Sequence, residues 1–155
     1  MIYVLTDDCG GGMCPQETKY SPSGSASFKK NSDGDEEALA HCYGKGCVSG
    51  AVSKDKICFN QEGKNCLYGA TMLAVNEATD VEKDKFSGLI GLGPKSDVGR
   101  VPAFVEQMAQ LGGAGGSEEI APVFSIYLSN TEAKPGQITF GGYDVQSHGK
   151  SGLTD

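Results

Sequence analysis

Few residues of this chain could perform acid–base or nucleophilic chemistry. Asp7 and Asp8 are adjacent aspartates that follow an apolar stretch. Neighbouring residues of an extended strand point to opposite faces, so this pair cannot share a proton as an acid–base dyad must. The two histidines, His41 and His148, lie in no recognisable nucleophile context, and the chain has no Gly-x-Ser-x-Gly turn. We therefore expect surface roles for all four residues.

Other classes of ligand are disfavoured by composition. Residues 149–151 (GKS) end like a Walker loop, but Asp144 occupies the position of its first glycine. The net charge of −7 argues against nucleic acid, because phosphate binding requires clustered Lys and Arg. No stretch of the chain approaches the ~20 apolar residues that a membrane helix needs. We expect no cofactor, no nucleic acid partner and no membrane span.

Six cysteines in 155 residues favour an oxidising compartment. The simplest of the possible connectivities is sequential pairing, which would mainly fix the shape of short loops. The alternative is a zinc site built from the first four cysteines and His41, although its two Cys spacings are at the loose limit for structural zinc. The three sequential pairs would be Cys9 with Cys14, Cys42 with Cys47, and Cys58 with Cys66.

The elements that must position any site are mostly short strands. Residues 38–57 form a candidate hairpin with a Gly-Lys-Gly turn, and residues 123–129 and 137–142 form another. Residues 101–111 carry an apolar stripe at helical spacing, with Pro102 suited to a first turn and glycines at the end. Many short strands with one clear helix predict a mostly β fold.

Glycines alternate with aliphatic residues in residues 86–93 (FSGLIGLG), which indicates close approach of another backbone. This octet resembles the F-D-G-(I/L)-L-G-L-G segment of pepsin-like aspartic peptidases. The resemblance implies that residues 1–155 form one unit, a truncated N-terminal lobe of the double-β-barrel fold, whose partner is a missing C-terminal lobe. Six further segments are similar to that family, in the family's order: residues 3–9, 20–28, 43–50, 53–57, 124–129 and 138–144.

The resemblance implies that residues 38–57 are the flap, the hairpin that closes over a bound peptide. Tyr43 would be the flap tyrosine, and Gly44 and Lys45 would offer backbone groups to an extended substrate. Tyr3 stands where the family has a tryptophan that supports this tyrosine. These four residues are our expected peptide-binding residues on and beneath the flap.

Two further residues would complete the wall of the cleft. By the same resemblance, Phe86 and Leu89 would line the apolar pocket for the substrate residue on the acyl side of the cleaved bond. The alternative for both is plain core packing.

The chain also departs from the family pattern. Ser87 replaces the usual aspartate, and a Cys42–Cys47 bridge would stiffen a flap that normally opens and closes. No aspartate of the chain is followed by Thr-Gly or Ser-Gly. The resemblance places one catalytic Asp-Thr-Gly loop before residue 1 and its partner in a second lobe after residue 155. We therefore expect no catalytic residue here and no peptide cleavage by this chain alone.

The functional hypothesis is thus part of an aspartic endopeptidase of the secretory pathway, either extracellular or in a lysosome or vacuole. Met1 is interpreted as an internal residue, and the chain as a piece of a longer protein. One alternative is a non-catalytic peptide-binding protein that keeps the flap and cleft walls. Another is a disulfide-stabilised secreted module with an unrelated partner.

Overall fold

The structure is a computed structural model. It describes residues 1–10, 14, 18–31, 38–44, 46–59, 62, 66–81, 85–94, 101–112, 120–132 and 135–148.

These residues are mostly β-strand, which confirms the predicted fold class. The strands are β1 (Ile2–Leu5), β2 (Lys29–Lys30), β3 (Leu39–Tyr43), β4 (Gly46–Cys58), β5 (Cys66–Thr79), β6 (Gly88–Ile90), β7 (Phe124–Tyr127) and β8 (Gln137–Phe140). The helices are α1 (Phe104–Gly112) and α2 (Val145–His148), and a 3-10 turn covers Pro22–Gly24.

One sheet of six strands has the order β2-β4-β5-β1-β6, with β3 added to β4. Strands β4 and β5 form its long antiparallel ladder, while β1 runs parallel to β5 and antiparallel to β6. Strands β7 and β8 form a separate two-stranded sheet. Strand β1 therefore lies inside the large sheet, held by hydrogen bonds on both edges.

The alternation of side chains along β1 supplies two hydrophobic clusters on opposite faces of the sheet. Tyr3 and Leu5 pack with residues such as Val75 on one face. Ile2 packs on the other face with Met72 and the helix residue Phe104. A short apolar strand thus belongs to the core on both sides, which fits its position in the middle of the sheet.

Helix α1 begins at Phe104, three residues later than the predicted start at 101. Val101 precedes Pro102, and a residue before proline is disfavoured in the helical region. The Ala103 amide donates a hydrogen bond to the Glu106 side chain at 3.3 Å, which satisfies a free amide at the start of the helix. Val101 is still buried, so the predicted apolar stripe includes one residue outside the helix.

Helix α1 is attached to the sheet by a buried glutamine. Gln107 is 2% exposed, and its amide group bonds both the Thr71 amide (2.6 Å) and the Thr71 carbonyl (2.9 Å) of β5. The Phe104 ring meets Phe140 of β8 edge-on at 5.5 Å. The helix therefore joins the large sheet to the smaller one. Within the part of the chain that the structure describes, no helix is long and apolar enough to span a membrane.

All six cysteines form disulfides in sequential pairs: Cys9–Cys14, Cys42–Cys47 and Cys58–Cys66. Their sulfurs are bonded to each other and cannot serve as thiolate ligands, so the zinc alternative is wrong for these residues.

Candidate peptide-binding site

Tyr3 lies at the centre of the candidate site because β1 is paired on both edges. Its register partners are Leu73 on β5 and Leu89 on β6, and the residue is 1% exposed. Strand β6 approaches β1 so closely that a Cβ on Gly88 would lie 2.5 Å from the Tyr3 carbonyl oxygen. A glycine is therefore required here, as the alternation in residues 86–93 predicted.

The second component is the 39–50 hairpin, formed by β3 and the first residues of β4. Tyr43 is paired with Gly46 around a tight turn that contains Gly44. A Cβ on Gly46 would lie 2.3 Å from the Thr79 carbonyl oxygen, so glycine lets β4 lie directly against the end of β5. Gly44 is exposed at the tip of the hairpin, and Lys45 lies outside the described residues.

A hydrogen bond joins these two components. The Tyr3 hydroxyl donates to the Tyr43 hydroxyl at 2.8 Å, and the two rings are stacked with centroids 6.2 Å apart. The Phe86 ring also meets the Tyr3 ring edge-on, with centroids 6.3 Å apart. The position of Tyr43 above the sheet is therefore set by a buried tyrosine in its middle strand.

A cavity of about 250 Å³ opens beside this tyrosine pair. Leu89 contributes to its wall and is 42% exposed, so its side chain is available to a ligand. Phe86 is half-buried and packs with the Tyr3 cluster instead of lining this cavity. The residues that line the cavity are Met1, Tyr3, His41, Tyr43, Leu89, Gly91, Gly93 and Pro94.

His41 was expected at the surface, but the structure places it in the cavity wall. It is half-buried, and its ring stacks on Tyr43 with centroids 6.5 Å apart and planes 26° apart. The signal was present in the sequence, because residues two apart on a strand share a face. A histidine two positions before the tyrosine of a predicted hairpin had to lie on the same side.

The described residues around the cavity are mostly apolar. Among the described residues, the lining consists of aromatic, aliphatic and glycine residues with one histidine, His41, and no carboxylate. Asp7 and Asp8, the pair considered in the sequence, are both exposed. In the described ranges no group of three or more His, Cys, Asp or Glu residues could hold a metal ion. The described part of this wall can hold an apolar side chain and an extended backbone.

A buried carboxylate that the sequence did not reveal keeps the end of β1 in place. Asp55 of β4 is 4% exposed and accepts hydrogen bonds from the hydroxyls of Tyr20, Ser25 and Ser27 and from the Lys56 amide. The backbone of Tyr20 in turn donates to the Leu5 carbonyl and accepts from the Asp7 amide. The 20–28 loop is thus fixed to β4 by a charge and to β1 by its backbone.

The electrostatics of this cluster follow from its hydrogen bonds. Burial alone raises the pKa of Asp55, but the bonds from Ser27, Tyr20, Ser25 and the Lys56 amide together outweigh it, and the net pKa lies below its usual 3.8. Burial, followed by the bond to Asp55, raises the pKa of Tyr20 to about 12. Asp55 therefore stays charged and Tyr20 stays neutral across the whole mildly acidic and neutral range.

Comparisons with known proteins agree with the resemblance seen in the sequence. Residues 2–153 match the model of the family described as eukaryotic aspartyl protease. The chain is 28% identical to human gastricsin over 147 residues, and 26% identical to cathepsin E of Cavia porcellus over 153 residues. It is 33% identical to vacuolar protease A of Aspergillus fumigatus over 149 residues.

These alignments cover most of this chain and a minor part of each relative. Each of the three alignments spans 92% of the chain, but only 35%, 34% and 34% of the respective relatives. The chain therefore corresponds to about a third of the length of the curated relatives it matches.

Proposed function

This chain belongs to the eukaryotic aspartyl protease family, and we propose that it supplies the flap and one wall of the substrate cleft of an aspartic endopeptidase. The single observation that carries the proposal is the hydrogen bond between the hydroxyls of Tyr3 and Tyr43. It holds a hairpin tyrosine above a cavity that Leu89 also lines.

The substrate of this site is an extended peptide. Tyr43 and Leu89 would contact an apolar substrate side chain, and backbone groups of Gly44 and Lys45 would pair with the peptide backbone. Phe86 supports the wall from behind through its contact with Tyr3. His41 shares the cavity with Tyr43, so it would contact the same part of the substrate.

The aspartate pair of such an enzyme would come from sequence outside these 155 residues. In that chemistry two carboxylates share a proton and activate water against the peptide carbonyl. The chain has no Asp-Thr-Gly or Asp-Ser-Gly, and its described cavity wall has no carboxylate. The second lobe and its aspartate are likewise part of the proposal, which the greater length of the relatives supports.

The cellular location follows from the same relationship. One relative is a vacuolar protease by name, and three disulfides suit an oxidising compartment. We place the parent protein in the secretory pathway, extracellular or delivered to a vacuole or lysosome.

The test compares this chain with the full product of its gene, using a fluorogenic peptide at pH 3 to 6 with and without pepstatin. We expect no pepstatin-sensitive hydrolysis by the 155-residue chain and clear hydrolysis by the full product. In the full product, Tyr43→Phe should lower kcat/KM by about tenfold, the effect of one lost hydrogen bond of about 1.4 kcal/mol.

Tyr68→Phe is the matched control, because Tyr68 is 55% exposed on β5 and keeps its aromatic ring. Equal losses in the two variants would contradict the role of Tyr43. A full product that lacks the aspartate loops and binds peptides without cleaving them would instead establish the non-catalytic peptide-binding alternative. The Cys42–Cys47 bridge across the hairpin is the feature that favours this alternative.

A further inference from the structure

The Cys42–Cys47 disulfide lies across the 39–50 hairpin, one residue pair away from its turn. Cys42 and Cys47 are direct cross-strand partners, and the next pair toward the turn is Tyr43 with Gly46. Along β3 the side chains alternate, so Cys42 is exposed on one face while Tyr43 is half-buried on the other. A reagent can therefore reach the disulfide from solvent without entering the cavity that Tyr43 lines.

Apart from the disulfide, strand β3 is held by its pairing with β4, by the packing of Leu39 and Tyr43 on the core, and by the Tyr3–Tyr43 hydrogen bond. Among the described strands it pairs with β4 alone, over the five residues Leu39–Tyr43. Two-stranded hairpins are marginally stable in water, whereas β4 is fixed independently by its long ladder with β5. Loss of the disulfide would thus let β3 open more often and leave β4 in the sheet.

The other two disulfides are placed differently. Cys9 and Cys14 are 0% and 1% exposed, so a reductant cannot reach them in the folded chain. Cys58 and Cys66 are half-buried at one end of the β4–β5 ladder, which continues to Thr79 without them. Only one of the three disulfides combines an exposed cysteine with a strand that depends on it.

We propose that Cys42–Cys47 is a redox modification site, reduced by a dithiol, whose state sets how firmly Tyr43 is held over Tyr3. The reductant is a small dithiol or a protein with a Cys-x-x-Cys pair. One of its thiolates attacks the Sγ of Cys42, and Cys47 leaves as a thiolate and takes up a proton. The second thiol of the reductant then attacks the mixed disulfide and releases Cys42, so the reductant is oxidised to a disulfide as this pair becomes two thiols.

The size of the effect follows from the small loop that the bond closes. For a sequence separation of 5 residues, the loss of chain entropy on cross-linking raises the equilibrium constant for closing the hairpin by about 30-fold. In the oxidised form Tyr43 is held ready to contact a ligand, and in the reduced form β3 opens about 30 times more often. Only the consequence for a peptide substrate rests on the proposed function.

The experiment uses the 155-residue chain with increasing dithiothreitol, followed by alkylation of free thiols and mapping by mass spectrometry. Hydrogen exchange is measured on the same samples. We expect Cys42 and Cys47 to be alkylated at the lowest reductant concentration. Exchange of the β3 amides should then rise about 30-fold, with no change in α1 or in β7 and β8.

The variant Cys42→Ser/Cys47→Ser should reproduce the reduced state without reductant, and Cys58→Ser/Cys66→Ser is the matched control that should leave β3 exchange unchanged. Reduction of Cys58–Cys66 or Cys9–Cys14 at a lower concentration would overturn the proposal. So would reduction of Cys42–Cys47 without faster exchange in β3. Neither readout involves peptide binding or cleavage, so a failure here is distinct from a failure of the proposed function.

Discussion

Replacing the buried Asp55 with asparagine tests how a charge holds the 20–28 loop against β4. Asp55→Asn keeps the size of the side chain and removes its charge. Four hydrogen bonds converge on this carboxylate, three from hydroxyls and one from the Lys56 amide. A hydrogen bond to a charged group contributes about 1 kcal/mol more to the free energy of unfolding than a bond between neutral groups. The variant therefore loses up to about 4 kcal/mol of stability from these four bonds. Relief from burying a charge offsets part of this, and we expect a net loss of about 2 to 3 kcal/mol at pH 7.

The pH dependence of this loss has a definite sign. The pKa of Asp55 is lowered in the folded chain from 3.8. Its stabilising contribution is therefore complete at a pH above the unfolded pKa, and it is lost as the pH falls through the lower folded value. The difference in unfolding free energy between the native chain and Asp55→Asn should be large at pH 7 and pH 5, and should shrink below pH 3.8.

The assay is urea unfolding at pH 7, 5 and 2.5, with Asp8→Asn as the control. Asp8 is exposed, so its variant should differ from the native chain by less than about 0.5 kcal/mol. Equal losses for Asp55→Asn and Asp8→Asn at pH 7 would refute the reasoning. A difference that widens as the pH falls would refute the assignment of the charged form.

Two further substitutions test the packing around the site by the same unfolding assay. Gly88→Ala should lower the free energy of unfolding by about 2 kcal/mol, because its Cβ would clash with the Tyr3 carbonyl. The control Gly93→Ala has no atom within 4 Å of its Cβ and should leave the free energy of unfolding nearly unchanged. An unchanged value for Gly88→Ala would contradict the close approach of β6. Gln107→Ala should lower the free energy of unfolding by about 3 kcal/mol, because it removes the side-chain partner of both the amide and the carbonyl of Thr71. The control Gln110→Ala lies at an exposed position of the same helix, and a similar cost there would show that helix propensity, and not this pair of bonds, is responsible.

Residues with a regular pattern were predictable from the sequence. The 39–50 hairpin and the β7–β8 pair follow from alternating apolar residues around glycine-containing turns, and the cysteine spacings pointed to the sequential disulfides. Gly88 was predictable as a point of close approach because a glycine inside a strand pattern often marks a position where another backbone lies against it. Each of these features depends on residues that are close together in the chain.

Features that depend on distant residues were not predictable. The sequence analysis assigned no role to Asp55, because its partners Tyr20, Ser25 and Ser27 are about thirty residues away in sequence. Gln107 likewise finds its partner on β5, 36 positions earlier. The alternation along the hairpin could have placed His41 on the same face as Tyr43, but the cavity on that face is formed with Tyr3 and Leu89, which are distant in sequence. Polar residues reveal their roles only after the fold brings their partners together.

The central claim, that Tyr43 and Leu89 border a peptide cleft, is tested most directly by NMR. An extended apolar peptide is added to the isotopically labelled 155-residue chain, and amide shifts are followed for every assigned residue. We predict that the largest shifts occur at Tyr43, Gly44 and Leu89, and that peptide binding leaves β7 and β8 unchanged. Shifts confined to β7 and β8, with Tyr43 and Leu89 unaffected, would contradict the claim.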